Sequence, residues 1–296
     1  MWALILRISN LQCAFSISPH KKLGGKYIEV ATGQPDKDSI APFKIYVCMV
    51  RSKATRWFNL LKSNSKDLQR RGLASAEDIH SLKNLPVLEL ITLLHSGDSV
   101  TRTAAAYNLS PMYDLAVVQL LEQLSAEKSL YTKIAICEVL EKGGLDTARK
   151  MTAYLGKIGC NQHRILPEKI SAKKSYPLPR DIIARSLGKM DTLVLPALLD
   201  VLQSGDEAKI SEVLDALGFM AFCHKEVATE ENAQAIYRVL RDFADNALIV
   251  WKSVVCLSAF PSPQSIVILQ GFSAQKGLLG AEADRSLRLI STRQPL

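Results

Sequence analysis

Apolar residues along most of this chain recur at helical spacing, and the recurrence itself repeats. Residues 90–109, LITLLHSGDSVTRTAAAYNL, align without a gap on residues 198–217, LLDVLQSGDEAKISEVLDAL. Each stretch reads as an apolar helix end, a Ser-Gly-Asp corner and a second helix closing on Leu109 or Leu217. Gly97 and Gly205 suit the left-handed residue that ends a helix. Asp98 and Asp206 suit the cap of the next one, because a short carboxylate accepts the amides left unpaired in a first turn. A helix–turn–helix that recurs in this way marks a stacked helical array, in which each unit buries its apolar face against its neighbours.

Extending the pattern predicts helices at 86–95, 99–109, 114–124, 129–141, 145–156, 181–187, 192–202, 207–217, 231–243, 247–258 and 263–272. Pro86 suits a first helical turn, where its missing N–H is not needed. Inward stripes read as Val100, Ala104, Ala105 and Leu109, then Leu115, Val118 and Leu121 with Val117 and Leu120, then Ile134, Ala135, Val139 and Leu140. Gly143-Gly144 and Gly218 read as helix stops, and Gly277–Gly280 as a loosened tail. The result is an all-α superhelix of about five helical hairpins over 85–296. The register leucines Leu109, Leu140, Leu187, Leu217 and Leu257 lie 31, 47, 30 and 40 residues apart. The long interval places an insertion at about 159–180, and a smaller one falls around His224–Glu231. Departures from a regular period map to loops on one face, which often carry binding.

Residues 1–48 do not share the pattern. Met1–Ser18 is apolar but interrupted by Arg7, where a secretory signal needs an unbroken apolar run, and 23–40 is glycine-rich loop. This part reads as a poorly ordered extension. Residues 49–84 read as a basic helical cap on the open end of the array: KATRWFNLLK sets Trp57, Leu60 and Leu61 on one face among Lys53, Arg56 and Lys62.

Composition sharpens the fold more than the function. Hydrophobic residues make up 48% and aromatics 6%, so the core must be aliphatic. No stretch approaches the roughly 20 apolar residues of a spanning helix, and the six cysteines form no CxxC pair. A cytoplasmic protein with buried thiols and no membrane span is the expectation. The net charge of +8 sits in residues 1–84, which carry fourteen lysines and arginines against six acids, whereas 85–296 is neutral. Within the array, 149–189 holds ten basic residues against two acids, and 206–231 holds seven acids against two lysines. Such a division steers an acidic partner to one end. Arg164, Lys169, Lys173, Lys174 and Arg180 are therefore the candidate partner contacts.

Motifs for chemistry are missing. There is no G-x-S-x-G, no phosphate-cradling glycine loop and no His-Glu dipeptide, and Cys160-Asn161-Gln162-His163 and Cys223-His224 lack a second matching pair. No catalytic residue, metal site or cofactor is assigned. Nucleic-acid binding is the alternative. For it, Tyr176 stands among the basic residues of the insertion and Trp251-Lys252 is an adjacent aromatic–cation pair, but so few aromatics give bases little to stack on.

The run Gly97-Asp98-Ser99-Val100-Thr101-Arg102, with Ala104-Ala105-Ala106 and Leu109, resembles the repeat of HEAT proteins, and more narrowly the short bacterial repeats of phycobilisome-lyase type. The resemblance covers about 85–260. It implies a right-handed α-α superhelix in which Asp98 and Arg102 face neighbouring repeats. Lys133 and Arg180 then take the Arg102 slot, Asp206 matches Asp98, and Ile210 breaks the series. HEAT arrays are mainly non-enzymatic protein-binding scaffolds, so the resemblance implies a protein partner, with DNA-repair-like binding and a bilin-lyase-like enzyme as lesser possibilities. Partner identity and oligomeric state are not legible at this level.

Overall fold

The computed structural model describes residues 27–28, 47–48 and 64–293. The chain divides into two units, Met1–Ser65 and Lys66–Leu296. In the first, β1 (Tyr27–Ile28) pairs antiparallel with β2 (Val47–Cys48), with Tyr27 opposite Cys48 and Ile28 opposite Val47. The expectations for the rest of 1–48, and for a basic helix around Trp57, lie outside the described residues.

The second unit is helical throughout. After α1 (Ser65–Arg70) and α2 (Ala76–Ser81), six hairpins follow among the described residues, against the five or so expected. They are α3 (Val87–Leu93) with α4 (Ser99–Leu109), α5 (Val117–Ala126) with α6 (Leu130–Leu140), and α7 (Leu145–Thr152) with α8 (Ile182–Leu187). Next come α9 (Leu195–Leu202) with α10 (Glu207–Cys223), α11 (Glu230–Asp242) with α12 (Ala247–Leu257), and α13 (Pro263–Ser273) with α14 (Leu278–Arg293). Even-numbered helices pack on one another in sequence from α2 to α14, forming a first row; α5, α7, α9 and α11 form a second. The architecture is an α-α solenoid.

Local chemistry sets the starts of these helices. Asp98, Asp181 and Asp206 cap α4, α8 and α10 by accepting from the amides of Thr101, Ala184 and Lys209. Thr229, Asn246 and Ser262 do the same for α11, α12 and α13, and Ser75 closes a capping box on α2 with Asp78. The two Ser-Gly-Asp corners differ, however. Gly205 is left-handed, at φ +72°, whereas Gly97 is not. At the first corner the guanidinium of Arg102 gathers the carbonyls of Ser96 (2.7 Å) and Gly97 (3.2 Å), which the apolar Ile210 cannot do at the second.

The core is aliphatic. Leu109, Leu140, Leu187, Leu217 and Leu257 are all fully buried along the first row. Several boundaries and faces depart from the sequence pattern. Helix α10 runs through Gly218 to Cys223, and the expected loose tail is the sixteen-residue α14, which starts directly after the turn at Gly277. Helix 145–156 ends at Thr152, and the segment Ser110–Leu115 is a 3-10 turn. Leu115 and Val118, read as inward, are exposed, because the buried stripe here is Val117, Leu120, Leu121 and Leu124; Ile134 is exposed as well, because α6 buries Ala135, Ile136, Val139 and Leu140.

Candidate partner-binding surface

Residues 159–180, between α7 and α8, form a strap fastened across α10, α12 and α14. It starts at Gln162, whose amide donates to Ile158 O (2.7 Å) and to Asp181 Oδ2 (2.9 Å). Asp181 is itself fully buried and caps α8 through its other oxygen, at 2.8 Å from the Ala184 amide. His163 meets Trp251 of α12 edge-on, with ring centroids 5.1 Å apart, and Arg180 donates to the same imidazole. Farther along, Arg285 of α14 donates to the carbonyls of Lys173 (3.2 Å) and Ser175 (2.8 Å). Tyr176 then enters the core against Phe222 and Gly218. A methyl group on Gly218 would lie 1.8 Å from the tyrosine hydroxyl, so glycine is what lets the ring reach the helix. Gly218 is a docking notch and not a stop.

Beneath the strap lies a buried ionic cluster that no sequence motif announces. Lys252 of α12 is fully buried, with Nζ 2.9 Å from Glu212 and 3.0 Å from Asp215, both on α10. Burial pulls against the lysine's charge, but Asp215 and Glu212 outweigh it and raise its pKa. Burial likewise pushes Glu212 up, to about 7, against the pull of Lys252. Glu282 and Arg285 on α14 make a second buried pair at 2.8 Å, and Trp251 Nε1 donates to Glu282 at 3.4 Å. His163 is held below its ordinary value by burial and by the positive charges of Arg180 and Lys252. The Trp251-Lys252 pair is thus internal to the fold: its cation is consumed by two carboxylates and cannot meet a phosphate.

The part of the first row before the strap is open. A groove of about 370 Å³ runs between α6 and α8, walled by Ile134, Cys137, Ile158 and Ile182, with Lys133, Arg180, Arg185 and Lys189 around it. Its two acids are engaged. Tyr107 donates to Glu138 at 2.9 Å, and Lys189 reaches Glu141 at 3.4 Å. Lys133 makes no ion pair among the described residues. Burial pushes the Cys137 thiol up to about 11, so this wall is an apolar surface and not a nucleophile.

Arg164, Lys169, Lys173, Lys174 and Arg180 are all exposed, on the strap and at its edge. Asp98 and Asp206 are caps. Arg102 pairs with Glu127 and not with Asp98. Its fork makes two 2.8 Å bonds to the carboxylate, which lies at the start of the connection from α5 to α6 and so ties successive hairpins together. Burial disfavours the Glu127 charge, but Arg102, the Ser129 amide and Gln123 overcome it and hold the pKa at about 2. Counting from the caps, Lys133 does occupy the Arg102 slot, four residues after Ser129. Arg180 does not: the cap is Asp181, so the slot belongs to Arg185, which bonds the Pro179 carbonyl six residues back (2.9 Å) as Arg102 bonds Ser96. The insertion had shifted the leucine-based register. Among the described residues no three His, Cys, Asp or Glu side chains gather as a metal would need, and no helix is long and apolar enough to cross a membrane.

Helical hairpins stacked in two rows, the first two tied by the Arg102–Glu127 fork, define an α-α solenoid. No family model and no curated protein matches the sequence. Among solved structures the chain is similar to an archaeal HEAT-like repeats protein from Thermococcus onnurineus NA1, with 14% identity over 77% of this chain and 97% of that one, at a TM-score of 0.35. It is also similar to an engineered protein, with 17% identity over 70% of this chain and 96% of that one, again at 0.35.

Proposed function

We propose that this chain is a cytoplasmic protein-binding scaffold that performs no reaction of its own. Its partner is a protein segment bearing acidic residues and an aliphatic side chain. The observation that supports this reading is the α6–α8 groove, where the exposed Ile134 and the half-buried Ile182 face an occupant over a floor that includes Cys137, and the surrounding acids are already paired while Lys133 is not. Desolvated apolar contact supplies affinity, and rim cations supply steering and selection. Arg164 and Lys174 on the outer side of the strap extend the same positive field. Burial of Lys252 between two carboxylates weighs against the nucleic-acid alternative.

The test is affinity capture from lysate with the full chain, with and without nuclease. One bait carries Lys133→Glu with Ile134→Asp, and another Arg164→Glu with Lys174→Glu, each checked for helicity. The reading predicts a protein that survives nuclease, is lost from the groove bait and is weakened on the strap bait. Capture that depends on nucleic acid, or that ignores both pairs of substitutions, contradicts it.

A further inference from the structure

A second recess lies on the other side of Arg180. It is a cavity of about 290 Å³ between the strap and the first row, and it is walled on the strap side by Pro167, Lys169, Lys173 and Leu178. The helices contribute Trp251 and Val255 of α12, with Asp215 and Glu282 deeper in. We propose that this cavity is a binding site for a small organic anion with a flat apolar body, such as an aromatic carboxylate.

Charge decides the sign of the ligand. Both carboxylates in the wall are paired within the fold, Asp215 with Lys252 at 3.0 Å, a cation it shares with Glu212, and Glu282 with Arg285 at 2.8 Å. Lys169, Lys173 and Arg180 have no ion-pair partner among the described residues, so the unbalanced charge facing the cavity is positive. The shape of the site decides the rest. The Trp251 indole is oriented from behind by Glu282 and edge-on by His163, and Val255, Pro177 and Leu178 complete an apolar lining. Pockets of this size that join an apolar wall to a few convergent polar groups suit small ligands. Both walls are also fixed in advance. Tyr176 is buried in its notch, and Arg285 grips the strap backbone at Lys173 and Ser175, so a ligand need not order the strap in order to bind.

The experiment is calorimetric titration of the full-length protein with 2-naphthoate, and with 2-naphthalenemethanol as the neutral isostere. The variants are Lys169→Ala, Lys173→Ala and Leu178→Trp, the last placing an indole in the mouth of the cavity. Arg180 is left intact because it also lines the α6–α8 groove. Saturable one-to-one binding of naphthoate is expected. The alcohol should bind at least tenfold more weakly, because it lacks the negative charge that pairs with the cations facing the cavity. Each lysine substitution should weaken naphthoate by roughly tenfold on the same grounds, and Leu178→Trp should abolish binding with the thermal transition intact. No saturable binding, equal binding of acid and alcohol, or binding indifferent to all three substitutions would each overturn the proposal. None of these variants changes Lys133, Ile134, Arg164 or Lys174, so failure here leaves the scaffold reading standing.

Discussion

Arg102 shows how much one side chain can hold together in a repeat array. It gathers the carbonyls of the corner before its own helix and forks onto Glu127 at the next hairpin, so one guanidinium satisfies four acceptor atoms across two units. Removing one partner of such a buried pair leaves the other charged and desolvated. Arg102→Ala should therefore cost about 3 kcal/mol in chemical denaturation. The loss should also depend on pH. Glu127 has a folded pKa of about 2, below the ordinary carboxylate value near 4.3. Its stabilisation is thus complete above about pH 4.3 and disappears as pH falls through that value toward 2. Wild type and Arg102→Ala should differ most at neutral pH and converge in acid. A constant difference between their unfolding midpoints from pH 7 to pH 2.5 would contradict the assignment.

At the scale of the element, the strap is the part with most to explain, since twenty-two residues without a helix are held in place by a handful of contacts. Tyr176 is the deepest of these. Tyr176→Ala removes the ring from the Gly218 notch and should free the segment while leaving the hairpins folded. Trypsin should then cut after Lys169, Lys173 or Lys174 well before it cuts the array, whereas the wild-type strap should resist. Equal cleavage of the two proteins would show that the strap is loose already. The sequence exposes the insertion through the broken leucine register but not its destination, because docking depends on Gly218 and Arg285, which lie 42 and 109 residues beyond Tyr176. Gly218 reads locally as a helix stop, and only the ring packed against it shows otherwise. Ile134 is a similar case. Periodicity places it on the inward stripe, and the structure leaves it at the groove, where an apolar residue marks a contact surface instead of a core.

Across the whole second unit, the repeat, the caps and the aliphatic core were legible because each is a local pattern carried by spacing. The ionic cluster was not. Glu212 and Asp215 look like two acids on a solvated face, and Lys252 like a cation offered to a phosphate, until α10 and α12 are brought side by side and the one buried ammonium is shared between the two carboxyl groups. That pairing changes the meaning of the charge division along the chain. The acids after the second Ser-Gly-Asp corner are partly spent inside the fold, whereas the cations around α6, α8 and the strap remain outward, so the field a partner meets is more one-sided than the sequence count implies. The strap in turn covers the first-row face at α10, α12 and α14 with the chain's own residues and leaves the α6–α8 groove as the open part. The measurement that tests this most directly is hydrogen–deuterium exchange of the full-length protein with and without its captured partner. New protection should be confined to residues 130–141 and 180–189, with α11 and α13 unchanged. Protection confined to the odd-numbered row, or spread evenly along the array, would contradict it.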